Sequence, residues 1–267
     1  MNAQPERTHG LDVDGTLLDK DQTRPAAGVA GALALLQSRG DLIIPNTTRG
    51  SRRLGEAMDG LYAGPSIVEN GGVIYTPDHQ IQAAARLTLD ERLSVALTIV
   101  RHARDIQHVA FYPLGDPGNR VVLFVPNATE AANYQQKLGD LILGEPYTDA
   151  EAFAHALDVS ETCMVEIKTR AKDATRDDMF DPGLNVSHDG IFYVNRAGAN
   201  KGTALQWLLD QKGISSATLI VAGDSPTDQP AFDIPGATSV AVANDSLRAT
   251  HHVGSPSELA QLLIARR

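Results

Sequence analysis

The chain has 267 residues, with 33 acidic against 23 basic side chains and a formal net charge of −10. An apolar fraction of 42% with 21% charged residues is ordinary globular composition, and excludes collagen-like, low-complexity and wholly disordered chains. An acidic balance with no basic tail argues against nucleic-acid binding, which draws its affinity from clustered Lys and Arg. No run of about 18 uncharged apolar residues exists, so no membrane span is expected, and the polar start from Met1 to Gly10 lacks the apolar stretch of a signal peptide. The one cysteine, Cys163, can form neither an internal disulfide nor a thiolate metal site. That fits a reducing compartment, and the expectation is a cytoplasmic monomer or homodimer.

Leu11 to Leu18 reads as a short strand running into a turn at Gly15. A helix is expected from Pro25 through Leu36, with Gly40 past its end. Leu42-Ile43-Ile44 is a buried strand, Ser51 caps a short helix reaching about Asp59, and Ser66-Ile67-Val68 is a third strand. This alternation predicts a doubly wound, mainly parallel sheet, an α/β fold. In the middle, Thr88 to Glu91 is a capping box opening a helix to about Arg104, followed by strands His108 to Tyr112 and Arg120 to Val125. Asn127 with Glu130 starts another helix, Met164 to Thr169 is a strand, and Lys172 to Met179 a helix. Strands Leu184 to Ser187 and Gly190 to Asn195 close the segment. From Asn200 the α/β pattern resumes with helix Lys201 to Gln211, strands Ala217 to Ala222 and Thr238 to Ala243, and helix Ser255 to Ala265. On the helix Lys201 to Gln211, Trp207 is expected in the core with Leu205, Leu208 and Leu209; the pair His251-His252 is expected at the surface. The organisation expected is one α/β core, residues 1–80 and 191–267, interrupted by an inserted α+β module, residues 81–190.

Two acidic turns carry the chemistry. Alternation along a strand puts Asp12 and Asp14 of Asp12-Val13-Asp14-Gly15-Thr16 on one side, at the strand end where open α/β sheets bind ligands. A second strand exits into Gly223-Asp224-Ser225-Pro226-Thr227-Asp228. Either turn alone is an ordinary Asp-Gly turn; the two together are harder to explain so. In the inserted module, Glu166, Lys168 and Arg170 share one strand face, with Lys172 close behind. That face suits sugar hydroxyls or a second anionic group, or is simply solvated. Arg49 and Asn70 are loop residues just beyond strand ends and are substrate-side candidates.

The segment Asp12 to Leu18 resembles the first motif of the haloacid dehalogenase superfamily of aspartate-nucleophile phosphatases. Thr47 in Asn46-Thr47-Thr48-Arg49 resembles its second motif, Lys201 in Asn200 to Ala204 its third, and Gly223 to Asp228 its fourth. Thr48 stands where the family usually has Gly, and Thr227 where it has Asn. About 30 residues separate the first motif from Thr47 and more than 150 separate Thr47 from Lys201. That spacing resembles the branch with a large α/β cap after the third strand, which acts mostly on sugar phosphates. Asn70-Gly71-Gly72 also fits that branch, and Gly223-Asp224-Ser225-Pro226 is similar to sucrose-phosphate and mannosyl-phosphoglycerate phosphatases.

The resemblance implies Asp12 as nucleophile, Asp14 as general acid and then base, Thr47 as donor to a phosphoryl oxygen, and Lys201 as the cation holding Asp12. It implies Mg²⁺ held by Asp12, Asp14 through its carbonyl, and Asp224, with Asp228 as direct or outer support, since all-oxygen ligation suits that ion. Thr48, Arg49, Asn70, Lys168 and Arg170 are the substrate-binding candidates, and the partner is a small phosphate ester. A phosphomutase with the same nucleophile, or a non-catalytic binding protein, are the alternatives.

Overall fold

The computed structural model describes residues 5–19, 22–58, 60–116, 118–171, 174–180 and 184–265. The expected helix end at Asp59 and the residue Lys172 lie outside them. The first compact unit comprises Met1–Ala84 and Asn200–Arg267, the second Ala85–Ala199. Compared with the boundaries read from sequence, the crossings shift to 84/85 and 199/200. The strand Ile81–Ala84 pairs within the first unit and Phe192–Asn195 within the second.

The first unit opens with β1 (Thr8–Leu11), α1 (Val29–Ser38), β2 (Leu42–Pro45), α2 (Ser51–Met58), β3 (Ser66–Val68), β4 (Val73–Tyr75) and β5 (Ile81–Ala84). The second holds α3 (Leu89–Arg101), β6 (Ile106–Phe111), β7 (Val122–Phe124), α4 (Ala128–Leu138), α5 (Ala150–Val159), β8 (Met164–Thr169), α6 (Arg176–Met179), β9 (Asn185–His188) and β10 (Phe192–Asn195). The chain then returns through α7 (Lys201–Lys212), β11 (Leu219–Gly223), α8 (Gln229–Phe232), β12 (Thr238–Val242), β13 (His251–Val253) and α9 (Pro256–Ala265).

In the first unit the order β13-β12-β11-β1-β2 is parallel throughout, the doubly wound sheet expected. β1 is central, so all four of its residues are buried although only Leu11 is a large apolar one. This corrects the strand expected from Leu11 onward: the strand stops where the reading starts it. His9 is accommodated because its Nε2 meets Asp41 Oδ2 at 3.1 Å, and Gly10 because Leu205 occupies the space a Cβ would need. Burial lowers the His9 pKa, against the opposing pull of Asp41. Ile44, Val221 and Ala241 form one apolar cluster with Leu205, Leu208, Leu209 and Phe232 of α7 and α8. Burying each such side chain is worth about 1.5–3 kcal/mol.

Three further expectations change. β3 does not join the parallel sheet as a full strand; it pairs antiparallel with β4 in the three-stranded sheet β3-β4-β5, and alongside β2 it makes a parallel bridge from Ile67 to Asn46, one residue past the end of β2. Ser51 is the first residue of α2, whose Leu54 N–H bonds to the Gly50 carbonyl, so the cap position falls one residue earlier. Trp207 is exposed while Leu205, Leu208 and Leu209 are buried, because a helix packed on one side keeps one face wet.

The second unit is built on an antiparallel sheet, β7-β6-β8-β10-β9. Val109, Phe111, Phe124, Val165, Ile167 and Phe192 pack with α3 and α5 residues such as Ile99 and Phe153, and a smaller cluster forms between Ala110, Leu123, Met164 and Ala131 of α4. Helix α5, unforeseen in the sequence reading, is capped by Asp149. No helix among the described residues is long and apolar enough to cross a membrane.

Candidate active site

β1 ends at Leu11, and Asp12 extends its ladder by one bond from its N–H to the Ala222 carbonyl at 2.9 Å. The chain then coils tightly, with the N–H groups of Leu17 and Leu18 both donating to the Val13 carbonyl at 2.9 Å. Gly15 sits at φ 72, and a Cβ there would collide with the Asp224 carboxylate, so close approach and backbone angle both require Gly. The strand alternation expected for Asp12 and Asp14 therefore does not apply. Asp12 is buried, whereas the Asp14 side chain is 53% exposed.

Lys201, first residue of α7 and almost wholly buried, donates from Nζ to Asp12 Oδ1 at 2.7 Å and to Asp228 Oδ1 at 2.6 Å. The other Asp228 oxygen accepts from the N–H groups of Asp224 and Ser225, at 3.1 and 3.0 Å, and from Ser225 Oγ at 3.2 Å. Thr16 Oγ1 lies 3.5 Å from both Asp12 Oδ2 and Asp224 Oδ1. Asp12, Asp224 and Asp228 each present a carboxylate oxygen within 4.8 Å of the others, the one such group among the described residues.

Asp14 forms its own pair. Arg49 Nε donates to Asp14 Oδ2 at 2.7 Å and Nη2 to Oδ1 at 2.5 Å, a two-point guanidinium–carboxylate contact. Thr47 is fully buried just past β2; its N–H donates to the Ile67 carbonyl, and its Oγ1 accepts from the Arg49 N–H at 3.2 Å. Thr48 and Arg49 complete that bend. Asn70, buried at φ 55, donates its N–H to the Thr47 carbonyl at 3.0 Å. The first unit thus brings Asp12, Lys201, Asp224 and Asp228 into one cluster, with Asp14–Arg49 and the Thr47–Asn70 loop as further parts of the same unit. Lys168 and Arg170 belong to the second unit. Lys168 is half-buried on β8 in register with His108, and Arg170 pairs through two bonds with Glu130 of α4, at 3.1 and 3.0 Å.

Several supports escaped the sequence reading. Asn46 Nδ2 donates to the Lys201 carbonyl at 3.1 Å, and Asn244 Nδ2 to the Asp224 carbonyl at 2.7 Å. Asn46, Thr16 and Ser225 adjoin residues already singled out, which is the signal that could have found them. Asn244 has no such signal, because it lies 20 positions from its partner.

Electrostatically the cluster is short of positive charge. Burial pushes the Asp12 carboxyl well above the usual carboxylate range, with Asp228 and Asp224 adding to the effect and Lys201 opposing it. Burial alone would lower Lys201, but Asp12 and Asp228 outweigh it and hold the ammonium protonated. Glu69, beside Asn70, is buried and pushed up to about 8 by loss of water.

This parallel sheet, with acids gathered at its strand ends, defines a hydrolase of the α/β type. Residues 10–254 match the family model for haloacid dehalogenase-like hydrolases, and the chain belongs to that family. No curated protein matches the sequence. Among solved structures, the fold is shared with a phosphatase of this superfamily from Bacteroides thetaiotaomicron (22% identity, 99% of this chain and 96% of that one, TM-score 0.73). It is also shared with a sugar phosphatase of subclass IIB (14% identity, 97% and 98%, TM-score 0.74) and a COF-like hydrolase from Plasmodium vivax (17% identity, 100% and 98%, TM-score 0.76).

Proposed function

We propose that this hydrolase is a Mg²⁺-dependent phosphatase acting on a sugar phosphate or similar small phosphometabolite through an aspartyl-phosphate on Asp12. The observation that carries the reading is the buried Lys201 ammonium bridging Asp12 and Asp228, which fixes one Asp12 oxygen and leaves Oδ2, among the described residues, with the Thr16 hydroxyl at 3.5 Å. The donor set suits a hard divalent cation: three converging carboxylates, all-oxygen, one ammonium among them, and burial raising the Asp12 pKa. Asp12, Asp224 and the Asp14 carbonyl are the assigned ligands. Asp228 supports them from outside, since both its oxygens already accept bonds from protein donors. When bound, the ion supplies positive charge to the phosphoryl oxygens and to Asp12.

In this reading an Asp12 oxygen attacks phosphorus while the ester P–O bond breaks, and Asp14 gives a proton to the leaving oxygen. Asp14 then takes a proton from the water that attacks the aspartyl-phosphate, releasing inorganic phosphate and restoring Asp12. Thr47 and the α7 N-terminus at Lys201 favour the phosphoryl charge by hydroxyl donation and by dipole. Both Asp14 oxygens are held by Arg49, so proton transfer requires that pair to open, and an anionic ester competing for the guanidinium supplies the means. Thr48 and Asn70 complete the phosphate side, and Lys168 and Arg170 select the rest of the substrate. The sole cysteine, Cys163, is buried and in no disulfide, which accords with a cytoplasmic setting.

The test is phosphate release from a broad phosphometabolite panel with and without Mg²⁺. Release that needs Mg²⁺ and falls by about three orders of magnitude or more in Asp12→Asn is expected. Release from no ester, or equal release by the variant, overturns the reading.

A further inference from the structure

Helix α3 buries Val95, Ala96, Thr98 and Ile99 against its own unit, yet its outer face carries Leu89, Leu93, Leu97 and Val100, all exposed, with Leu97 at 62%. Spacings of four, four and three residues line these up as one stripe. Val159 at the end of α5, 68% exposed, is next to Asp158, whose carbonyl accepts from Arg92 Nε of α3 at 3.2 Å. Five of the eight exposed large hydrophobic residues described therefore belong to α3 and the adjoining end of α5. A concentration of this kind marks an interaction surface rather than scattered exposure.

We propose that this face pairs with the same face of a second copy of the chain, α3 against α3, antiparallel about a two-fold axis. Charge complementarity selects that occupant. Asp90 and Arg101 stand eleven residues apart, about three turns, and so lie on the same edge of the stripe at opposite ends. A two-fold axis perpendicular to an antiparallel helix pair brings like edges together and opposite ends into register. Asp90 of each copy then meets Arg101 of the other, Leu93 meets Leu97, and each contact occurs twice. A parallel two-fold arrangement would instead set like edges on opposite sides of the seam, so neither Asp90 nor Arg101 would meet the partner's opposite charge. Arg104, exposed just beyond the helix, adds to the basic end.

Sedimentation equilibrium on the full chain, across about 1 to 500 µM protein, should show a reversible dimer. Leu97→Glu, at a position whose side chain is already in water, should raise the dissociation constant about tenfold or more while circular dichroism stays that of the parent. Asp90→Arg and Arg101→Glu should each weaken the dimer, and the double variant, which restores the opposite-charge contacts, should recover it. A chain monomeric throughout, a dimer indifferent to Leu97→Glu, or a double variant no tighter than the singles each overturns the proposal.

Discussion

The two units treat buried polarity in opposite ways. Of the eighteen buried polar or charged residues described, fourteen lie in the first unit, including Asp12, Lys201, Asp228 and Glu69; the second has only Thr98, His108, Thr162 and Asn195. Its interior is instead aromatic, with Phe153 against Phe111 and Phe124 at ring separations of 5.5 Å. A parallel sheet ends all its strands on one side, so loops carrying acids and a lysine converge there, and the chain must pair those charges or lose stability. The antiparallel sheet has no such convergence. Its polar groups, His108 bonded to Glu166 at 3.3 Å and to the Tyr134 hydroxyl at 3.0 Å, lie on a sheet face instead.

That contrast breaks most sharply at Lys201. Lys201→Met leaves Asp12 and Asp228 buried with their shared cation gone, and a stability loss of about 3–5 kcal/mol is expected in urea titrations without divalent metal. Activity should vanish with it. A variant within about 1 kcal/mol of the parent would mean that the first unit does not depend on this charge pairing.

Glu69 tests the same point through pH. Its folded pKa is raised to about 8 by burial from an ordinary 4.5, so the folded state binds the proton more tightly than the unfolded chain. The stability it contributes is fully present below about pH 4.5 and is lost as pH rises through about 8. Glu69→Gln removes the titration. Relative to the variant, the parent should therefore lose a few kcal/mol between pH 5 and pH 9 in chemical denaturation, and parallel pH profiles would show that Glu69 stays ionised in the fold.

Much of the first unit was legible because its motifs sit at strand ends, where spacing alone orders them: Asp12, Thr47, Lys201, Asp224 and Asp228 fall just after β1, after β2, at the start of α7 and after β11. β1 itself was misplaced, because its burial depends on His9 meeting Asp41 and on Gly10 admitting Leu205, partners 32 and 195 residues away. The Arg49–Asp14 pair was equally invisible, since both residues carried other roles and no periodicity links a loop after β1 to one after β2. In the second unit, β8 was readable to its exact ends from the run Met164 to Thr169, whose alternate residues Val165 and Ile167 are buried. Helix α5 was missed although Asp149 caps it, because its two buried side chains, Phe153 and Leu157, set too weak a pattern.

Helix caps give the smallest effect and the most direct comparison, because the same chemistry serves each unit. Thr88 accepts from the Glu91 N–H at 3.2 Å while the Thr88 N–H donates to Glu91 Oε2 at 2.7 Å; Asn200 accepts from the N–H groups of Gly202 and Thr203, both at 2.9 Å. Replacing either cap by Ala should cost about 1 kcal/mol by urea denaturation. The two should part in phosphate release. Thr88→Ala leaves the acids untouched and should keep the parental rate, whereas Asn200 precedes Lys201 and its carbonyl is packed where a Cβ on Gly71 would fall. Loosening that turn moves the ammonium relative to Asp12, and because the donor must stay within hydrogen-bond reach of a buried carboxylate, a displacement of a few tenths of an ångström is enough to register. Asn200→Ala should therefore lower kcat about tenfold beyond anything the stability loss explains, and equal kinetics in the two variants would show that the cap holds the helix without aiming the lysine.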